Sequence, residues 1–343
     1  MFLSGIQKLA STRCPIKAFG HDKIMITKEI QKKLFDLMLK IRQAEEKIVE
    51  VYAKEQTMRT PTHLSIGQEA VAAGLGLALH KNDQIFVGHR CHAAYLAKGG
   101  SLEGFFAELC GRASGICGGR AGSAHLSDHS AGIYASPILS SMIPVAVGAA
   151  LSFKMDGKNQ VAVAVFGDAA IEEGVFAESL NFAVAKKLPV LFLCENNLYS
   201  TYSPMSVRQP SSPIFERVRI PELDTRQIDG NDAVLVYECL SRVVDKVRRE
   251  SKPYFVECLT YRIREHVGPL FDYDRGYRTK QEVEAWMTKC PIKKLKQELI
   301  HSQIMTETAI KTLEEQWQHV CDEAYKKALA APWPTENTLL NYA

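Results

Sequence analysis

The most regular pattern of apolar and polar positions lies in the middle of the chain. Residues 161–166 form a short, Val-rich apolar run, which is typical of a strand buried on both faces. Apolar residues then recur with helical spacing over residues 172–186, and Pro189 ends that period. A second apolar run, residues 189–194, leads into the polar cluster Glu195-Asn196-Asn197. The pattern predicts a strand, a helix and a second strand, which by connection length and handedness belong in a parallel sheet.

Similar patterns predict the elements on either side. Helical periods predict helices over residues 27–55, 69–79, 145–151, 232–249 and 307–330. Two shorter helices are predicted to start at the capping box Thr279-x-x-Glu282 and at Pro291. Apolar runs predict strands over residues 84–88 and 253–261 and a short strand ending near residue 229. With neither a repeat nor a linker, the simplest organisation is an extension, residues 1–26, followed by a single α/β domain, residues 27–335.

Composition excludes several classes of function. The chain has 343 residues, 24% of them charged, and a net charge of only +3, so neither nucleic acid nor an anionic membrane is indicated as a partner. None of its nine cysteines forms a C-x-x-C pair, which favours reduced thiols over a zinc site. No apolar run approaches the roughly 18 residues needed to cross a bilayer. The acid-free first twenty residues fit a mitochondrial presequence or an ordinary basic terminus.

Polar residues follow both central strands at the point where each is predicted to end. In a parallel sheet, ligands bind outside the carboxyl ends of the strands, so Asp168 and Asn197 are expected to lie close together. A carboxylate, an amide oxygen and a backbone carbonyl suit Mg²⁺, which commonly shares phosphate oxygens with its protein ligands. The helix after Gly167-Asp168 offers free N–H groups to the same phosphates. The sequence therefore predicts a site for a diphosphate and its metal ion.

The motifs also resemble those of a known family. Gly-Asp-x at the end of one strand, with Asn-Asn at the end of the next, resembles the diphosphate-binding motif of thiamine-diphosphate enzymes. Leu180-Asn-Phe-Ala, Lys187-Leu-Pro and Cys194-Glu-Asn-Asn-Leu-Tyr are similar to the α subunit of thiamine-diphosphate-dependent 2-oxo acid dehydrogenases, the pyruvate, branched-chain and acetoin group. The similarity runs over residues 27–300. It implies a thiamine-diphosphate-binding fold, with a central mostly parallel sheet flanked by helices and extra helices at both ends.

The resemblance also implies the residues of the active site. Catalytic roles would fall to His266 and His63. The metal ligands would be Asp168, Asn197 and the backbone carbonyl of Tyr199. Contacts with thiamine diphosphate would be made by His63, His89, Arg90, Pro137, Leu139, Gly167, Asp168, Ala169, Ala170, Asn197, Tyr199 and His266. In this set, Arg90 would hold the diphosphate, and Leu139, otherwise expected in the core, would be the wedge that keeps the cofactor folded.

Several positions depart from the family pattern. His89 stands where the family has Tyr, which adds a titratable ring near the phosphates. Ala169 replaces a Gly and is compatible with the site if its φ is negative. Residues 267–269, Val-Gly-Pro, replace a segment with phosphorylatable serines, so the kinase switch of mitochondrial relatives should be absent. His92 matches a family position as a substrate contact or a packing residue, and His125 as a loop anchor or a catalytic group; both alternatives stay open.

The resemblance implies a subunit that acts with others. The function expected is decarboxylation of a pyruvate-like or branched-chain 2-oxo acid, with transfer of the acyl group to a lipoyl carrier. The expected partners are a β subunit, in an α2β2 heterotetramer that supplies the glutamate needed to activate the cofactor, and a lipoyl acyltransferase. Two alternatives are an enzyme for acetoin or another keto compound, and a non-catalytic subunit. The expected location is the bacterial cytoplasm, or the mitochondrial matrix if the basic terminus is a presequence.

Overall fold

The computed structural model describes residues 26–338, and its centre is one six-stranded sheet. The strands are β1 (Gln84–Val87), β2 (Ile133–Ala135), β3 (Ala162–Gly167), β4 (Val190–Asn196), β7 (Asp224–Asp229) and β8 (Tyr254–Leu259). They lie in the order β2-β1-β3-β4-β8-β7, and every neighbouring pair is parallel. A separate antiparallel pair consists of β5 (Tyr199–Ser200) and β6 (Ser203–Pro204). The predicted mostly parallel α/β architecture is confirmed.

Helices cover both faces of the sheet and extend the chain at both ends. They are α1 (Lys28–Glu55), α2 (Glu69–Ala78), α3 (His92–Ala97), α4 (Leu102–Leu109), α5 (Met142–Met155), α6 (Gly174–Lys186), α7 (Met205–Arg208), α8 (Ile214–Arg217), α9 (Ala233–Glu250), α10 (Lys280–Met287), α11 (Pro291–His301) and α12 (Glu307–Ala330). Thr27 and Thr279 cap α1 and α10 through their side chains, as such residues do at helix starts. The predicted N- and C-terminal helices are confirmed.

Two central helices differ in extent from the prediction. The helix predicted over residues 172–186 begins at Gly174, because Asp168–Glu172 form a turn of 3₁₀ helix first. The helix predicted over residues 145–151 is longer and runs from Met142 to Met155. Pro144 lies within the first turn of that helix, where its missing N–H has no carbonyl partner to lose. A proline that looked like a boundary is therefore inside the element.

The alternation of side chains along the strands divides the core into two layers. Val163 and Val165 of β3 join the cluster under α1, α2 and α9, whereas Ala164 and Phe166 join the cluster under α5 and α6. The residues of a strand point alternately to opposite faces, so continuous apolar runs fit a sheet covered on both sides. A third cluster joins α1 to the C-terminal helices.

The order of the strands creates a crevice at the edge of the sheet where the strands end. The chain leaves β1 for β2 on one side, whereas β3 pairs with the other side of β1. Connections diverge at this point, and ligands of open α/β sheets bind in the gap between them. Most of the predicted site residues follow the carboxyl ends of five strands: His89 and Arg90 follow β1, Pro137 and Leu139 follow β2, Asp168 to Ala170 follow β3, Asn197 and Tyr199 follow β4, and His266 follows β8. Gly167 is the last residue of β3, and His63 lies between α1 and α2.

Some predictions concern parts of the chain outside this description. Residues 1–25, which make up nearly all of the predicted extension, lie outside the described residues, and so does Cys14. The single domain over residues 27–335 stays a prediction. Of the eight cysteines described, all are free and only Cys117 is not fully buried, as expected for reduced thiols. Within residues 26–338, no helix is both long and apolar enough to cross a membrane.

Candidate active site at the carboxyl edge of the sheet

Three imidazole rings meet at the edge of the sheet. The ring centroids of His63 and His89 are 4.7 Å apart, and that of His266 lies 5.2 Å from the first and 5.3 Å from the second. Burial and the positive charge of Arg90 lower the pKa of His63 to about 2, of His89 to about 4 and of His266 to about 3. All three rings are therefore neutral at pH 7.

Arg90 gives this group its positive charge. Its Nη1 donates to the carbonyl of Leu64 at 2.5 Å, and its Nη2 lies 3.5 Å from Nδ1 of His266. Burial and the nearby Arg262 lower the pKa of Arg90 to about 10, so the guanidinium remains charged at pH 7. A charged fork among neutral ring donors is suited to the oxygens of an anion such as a phosphate group. The arrangement predicted for Arg90 is thus compatible with the structure.

Backbone contacts between two loops hold His63 beside His266. The N–H of Gly268 donates to the carbonyl of Thr62 at 2.8 Å, and the N–H of Ile263 donates to that of Ile66 at 3.0 Å. Gly67 has a φ of +103°, and a Cβ there would lie 2.5 Å from the carbonyl oxygen of Tyr261. Only glycine fits so close an approach of two backbones. The glycine after Ser-Ile in this loop therefore sets the spacing between two imidazoles.

His92 does not belong to the open site. It is fully buried, with Nδ1 3.2 Å from Glu45 and Nε2 2.7 Å from the hydroxyl of Ser123. The carboxylate of Glu45 also accepts the N–H of Ser65 at 2.8 and 2.9 Å, two residues after His63. Of the two alternatives for His92, the structure supports packing. Glu45 escaped the sequence analysis, although a glutamate on the apolar stripe of α1 was a signal that could have identified it.

One carboxylate organises the glycine-rich loop between α4 and β2. Glu108 is fully buried, and its Oε1 accepts the N–H groups of Ala121 at 2.7 Å and Gly122 at 3.1 Å. Its Oε2 accepts those of Cys117 at 2.8 Å and Gly119 at 2.9 Å. The sequence analysis gave Glu108 no role. His125, in the same loop, is exposed, and none of the described contacts involves its side chain.

In this structure the carboxylate of Asp168 is paired with a cationic side chain of the same chain. Its side chain is 1% exposed, and its Oδ2 accepts a hydrogen bond from Nη2 of Arg208. Burial raises the pKa of this carboxyl, although Arg208 opposes the shift. The side chain of Gln209 donates to the backbone carbonyl of Asp168 at 2.9 Å. Both partners lie in or next to α7, and nothing in their local sequence pointed to this contact.

Two neighbouring positions answer questions raised by the sequence. Ala169 does not have a positive φ, so its methyl group is compatible with the backbone there. Leu139 is 42% exposed, whereas an aliphatic side chain without a special role would be expected in the core. The hydroxyl of Ser140 donates to the carbonyl of Ala170 at 2.8 Å and so ties this loop to the one after β3. An exposed leucine is therefore held at the crevice.

Asn197 is oriented by contacts on both sides. Its Nδ2 donates to Oε1 of Gln68 at 3.0 Å, and its Oδ1 accepts the N–H of Tyr199 at 3.2 Å. The hydroxyl of Tyr199 donates to Glu282 at 2.8 Å, which leaves its backbone as the part available to the site. Gln68 is 1% exposed, yet its Nε2 has no hydrogen-bond partner, and neither has the buried Nδ1 of His63. Unpartnered buried polar atoms at one edge point to a polar ligand.

Comparison with known proteins covers almost the whole chain. A family model described as "Dehydrogenase E1 component" matches residues 36–337. The α subunit of acetoin:2,6-dichlorophenolindophenol oxidoreductase from Bacillus subtilis is 33% identical over 332 residues, which cover 95% of this chain and 96% of that protein. The chloroplastic pyruvate dehydrogenase E1 component subunit alpha-3 of Arabidopsis thaliana is 33% identical, covering 94% of this chain and 76% of that protein. The corresponding subunit of Rickettsia felis is 31% identical, with coverage of 91% and 95%.

Proposed function

This chain belongs to the dehydrogenase E1 component family, and from that premise we propose that it is the α subunit of a heteromeric, thiamine-diphosphate-dependent 2-oxo acid dehydrogenase. It is an oxidoreductase that works with a β subunit on a small-molecule substrate. The observation that best supports an active site here is the group formed by Arg90 and three neutral imidazoles at the carboxyl end of the parallel sheet. The expected lipoyl acyltransferase, the α2β2 stoichiometry and a cytoplasmic location are part of the proposal.

The residues present fit the diphosphate. Arg90 binds its oxygens, His63 and His89 donate from their rings, and the unpartnered Nε2 of Gln68 supplies a further donor. Gly167, Ala169 and Ala170 offer backbone N–H groups where the 3₁₀ turn begins. None of these groups carries a negative charge, so an anion meets no repulsion from them.

The oxygen atoms at and near Asp168 also fit a cation. Asp168, the amide oxygen of Asn197 and the carbonyl of Tyr199 are the hard oxygen ligands that Mg²⁺ prefers. Arg208 already pairs with Asp168, which indicates that a positive charge is accepted at this position. Magnesium would replace Arg208 there. The metal set is a proposal that rests on this donor chemistry and on the position of the three residues after β3 and β4.

The chain's own residues position the reaction. The chemistry that bound thiamine diphosphate supplies is nucleophilic addition to the carbonyl of the 2-oxo acid, followed by loss of carbon dioxide. Leu139 would pack against the bound cofactor as its wedge, and the carbonyl of Pro137 would accept a hydrogen bond from it. His266, neutral at pH 7, donates a hydrogen bond to the substrate oxygen and stabilises the charge that develops on it. The partner β subunit supplies the glutamate.

Calorimetric titration of thiamine diphosphate with Mg²⁺ into the chain co-purified with its β subunit tests the site. We expect Arg90→Lys to weaken binding by about tenfold or more, because a point charge cannot fork onto two oxygens. Arg249→Lys is the matched control, since Arg249 is exposed on α9. No binding by the parent would refute the proposed function and favour a non-catalytic subunit. Equal affinities for the two variants would refute the role of Arg90 in holding the diphosphate.

Substrate choice is a second question, because the relatives divide between pyruvate and acetoin enzymes by name. The α–β pair can be supplied with acetoin and with a series of 2-oxo acids while reduction of 2,6-dichlorophenolindophenol is followed. We expect turnover of a 2-oxo acid with release of carbon dioxide. Turnover of acetoin alone would move the chain to the acetoin group, which the Bacillus relative favours. Transfer to lipoate is then tested with a lipoyl domain as acceptor.

A further inference from the structure

We propose that His63, His89 and His266 form a binding site for a transition-metal dication such as Zn²⁺. The three side chains come from three separate loops, and their ligand nitrogens all lie within 4.8 Å of one another. Among residues 26–338, this is the one set of three or more His, Cys, Asp or Glu ligands found in such an arrangement. The site is distinct from the oxygen ligands around Asp168, and it takes a different class of metal.

The chemistry of the three rings suits a borderline metal ion. Imidazole nitrogens bind Zn²⁺, Co²⁺, Ni²⁺ and Cu²⁺, whereas Mg²⁺ prefers oxygen ligands. A ring must be neutral to bind a metal, and burial together with Arg90 keeps the pKa of each ring well below 7. The Nδ1 of His63 is buried without a hydrogen-bond partner. Protons therefore do not compete for these nitrogens at pH 7.

The distances require only a small closure. Zinc–nitrogen bonds of about 2.0–2.1 Å in a tetrahedral site place the nitrogens about 3.3 Å from one another. From separations of up to 4.8 Å, the rings must approach by about 1.5 Å, which side-chain rotation can supply. Three protein ligands leave the fourth position to water, as in zinc sites that stay open to a ligand.

Arg90 opposes metal binding and gives the proposal its sharpest test. A guanidinium can only donate, so its contact with Nδ1 of His266 uses the lone pair of that nitrogen. A metal ion on His266 must break this contact and also meets a like charge. Glu195 and Glu45 lie close to Arg90, but burial raises the pKa of both carboxyls, that of Glu195 to about 7, so they offset little of that charge. Removing the charge with Arg90→Gln should therefore tighten metal binding while it weakens the binding of a diphosphate.

The metal site and the cofactor site share side chains. On the function proposed above, His63, His89 and His266 face the diphosphate, so the metal and thiamine diphosphate compete. Zinc bound to the unliganded subunit would then keep the cofactor out. This competition rests on the proposed function, whereas the metal site itself rests on the geometry alone.

Cobalt titration of the metal-free chain, co-purified with its β subunit, measures the site through the visible absorption of tetrahedral Co²⁺. We expect one tight site per chain, displaced by Zn²⁺ and unaffected by Mg²⁺. His89→Tyr should weaken cobalt binding by about 100-fold or more. Removing a residue that only hydrogen-bonds to a metal ligand already weakens metal binding by about 10- to 100-fold. The matched control is His301→Ala, at an exposed histidine in the last turn of α11.

Three outcomes decide between the parts of the proposal. Equal cobalt affinity for His89→Tyr and His301→Ala, with both metal-free proteins melting like the parent, would overturn the metal site. A weaker site in Arg90→Gln would overturn it as well. If thiamine diphosphate with Mg²⁺ fails to release Zn²⁺ to a coloured chelator, although it binds the metal-free protein, the competition is wrong and the metal site stands. If the cofactor does not bind at all, the proposed function fails, and the cobalt titration still decides the metal site.

Discussion

Replacing Glu108 with Gln should loosen the glycine-rich loop of residues 111–132 while the rest of the sheet stays intact. The carboxylate accepts four backbone N–H groups, two on each oxygen. An amide of the same shape keeps one acceptor oxygen and turns the other position into a donor. Whichever way the amide is oriented, two loop N–H groups lose their acceptor and face a like dipole.

The magnitude follows from the number of bonds lost. A hydrogen bond to a charged acceptor contributes about 1.5–3 kcal/mol, so two are worth about 3–6 kcal/mol. Because the loop can shift and hydrate its free N–H groups, we take about 3 kcal/mol as the expected change in the free energy of loop opening. At about 1.4 kcal/mol for each factor of ten, the open state becomes about 100-fold more populated.

Limited proteolysis with trypsin measures the population of the open loop, because Arg112 and Arg120 lie in the loop. Cleavage there should speed up by about 100-fold when opening is fast relative to cutting. Glu103→Gln is the matched control, because Glu103 lies on the same helix, is exposed and forms a surface ion pair with Lys327. If Glu108→Gln is cut no faster than Glu103→Gln and melts at the same temperature, the carboxylate does not organise the loop.

Two further predictions concern the ionisable groups of the site. In the unfolded chain the pKa of each of the three histidines is the ordinary 6.5, whereas in the folded chain it is about 2 for His63, about 4 for His89 and about 3 for His266. The unfolded chain therefore binds more protons than the folded chain as the pH falls from 7 to 5, and stability should fall over that range by about 2 kcal/mol per histidine. His89→Tyr should make this dependence shallower in denaturant titrations, and an unchanged slope would contradict the depressed pKa. Arg208→Gln leaves Asp168 buried without its cationic partner, so the free energy of unfolding of the chain without cofactor should fall by about 3 kcal/mol. The same variant should bind Mg²⁺ more tightly in the presence of thiamine diphosphate, because Arg208 no longer competes for Asp168. Calorimetry that shows weaker Mg²⁺ binding would contradict this competition.

Local patterns predicted most of the framework. The apolar runs of β3, β4 and β8 and the threonine cap of α10 act through neighbours in sequence, so they could be predicted from the chain. The rule that ligands bind at the carboxyl ends of parallel strands then predicted that Asp168 and Asn197 share a site, which needed only the order of elements. The other site residues, among them His63, His89 and His266, were predicted from the resemblance to a family and not from the pattern alone.

The parts that could not be predicted depend on contacts between distant residues. Arg208 reaches Asp168 across 40 positions, Glu45 reaches His92 across 47, and Gln68 reaches Asn197 across 129. Such pairs have no periodicity, because each is set by how whole elements pack. The low pKa values of the histidines are also tertiary effects, since burial dominates each of them. A sequence pattern identifies a titratable group but not the dielectric medium around it.

If the proposed cofactor site is correct, the distribution of its ligand groups over five strand ends has a consequence in the cell. A chain that has formed only part of its sheet lacks part of the pocket, so thiamine diphosphate recognises the finished fold alone. Mass action then makes the vitamin a folding ligand, and at 100 times its dissociation constant it would add about 2.7 kcal/mol of stability. Under thiamine starvation, more of this subunit would be open to proteases, and its abundance would track the supply of its own cofactor.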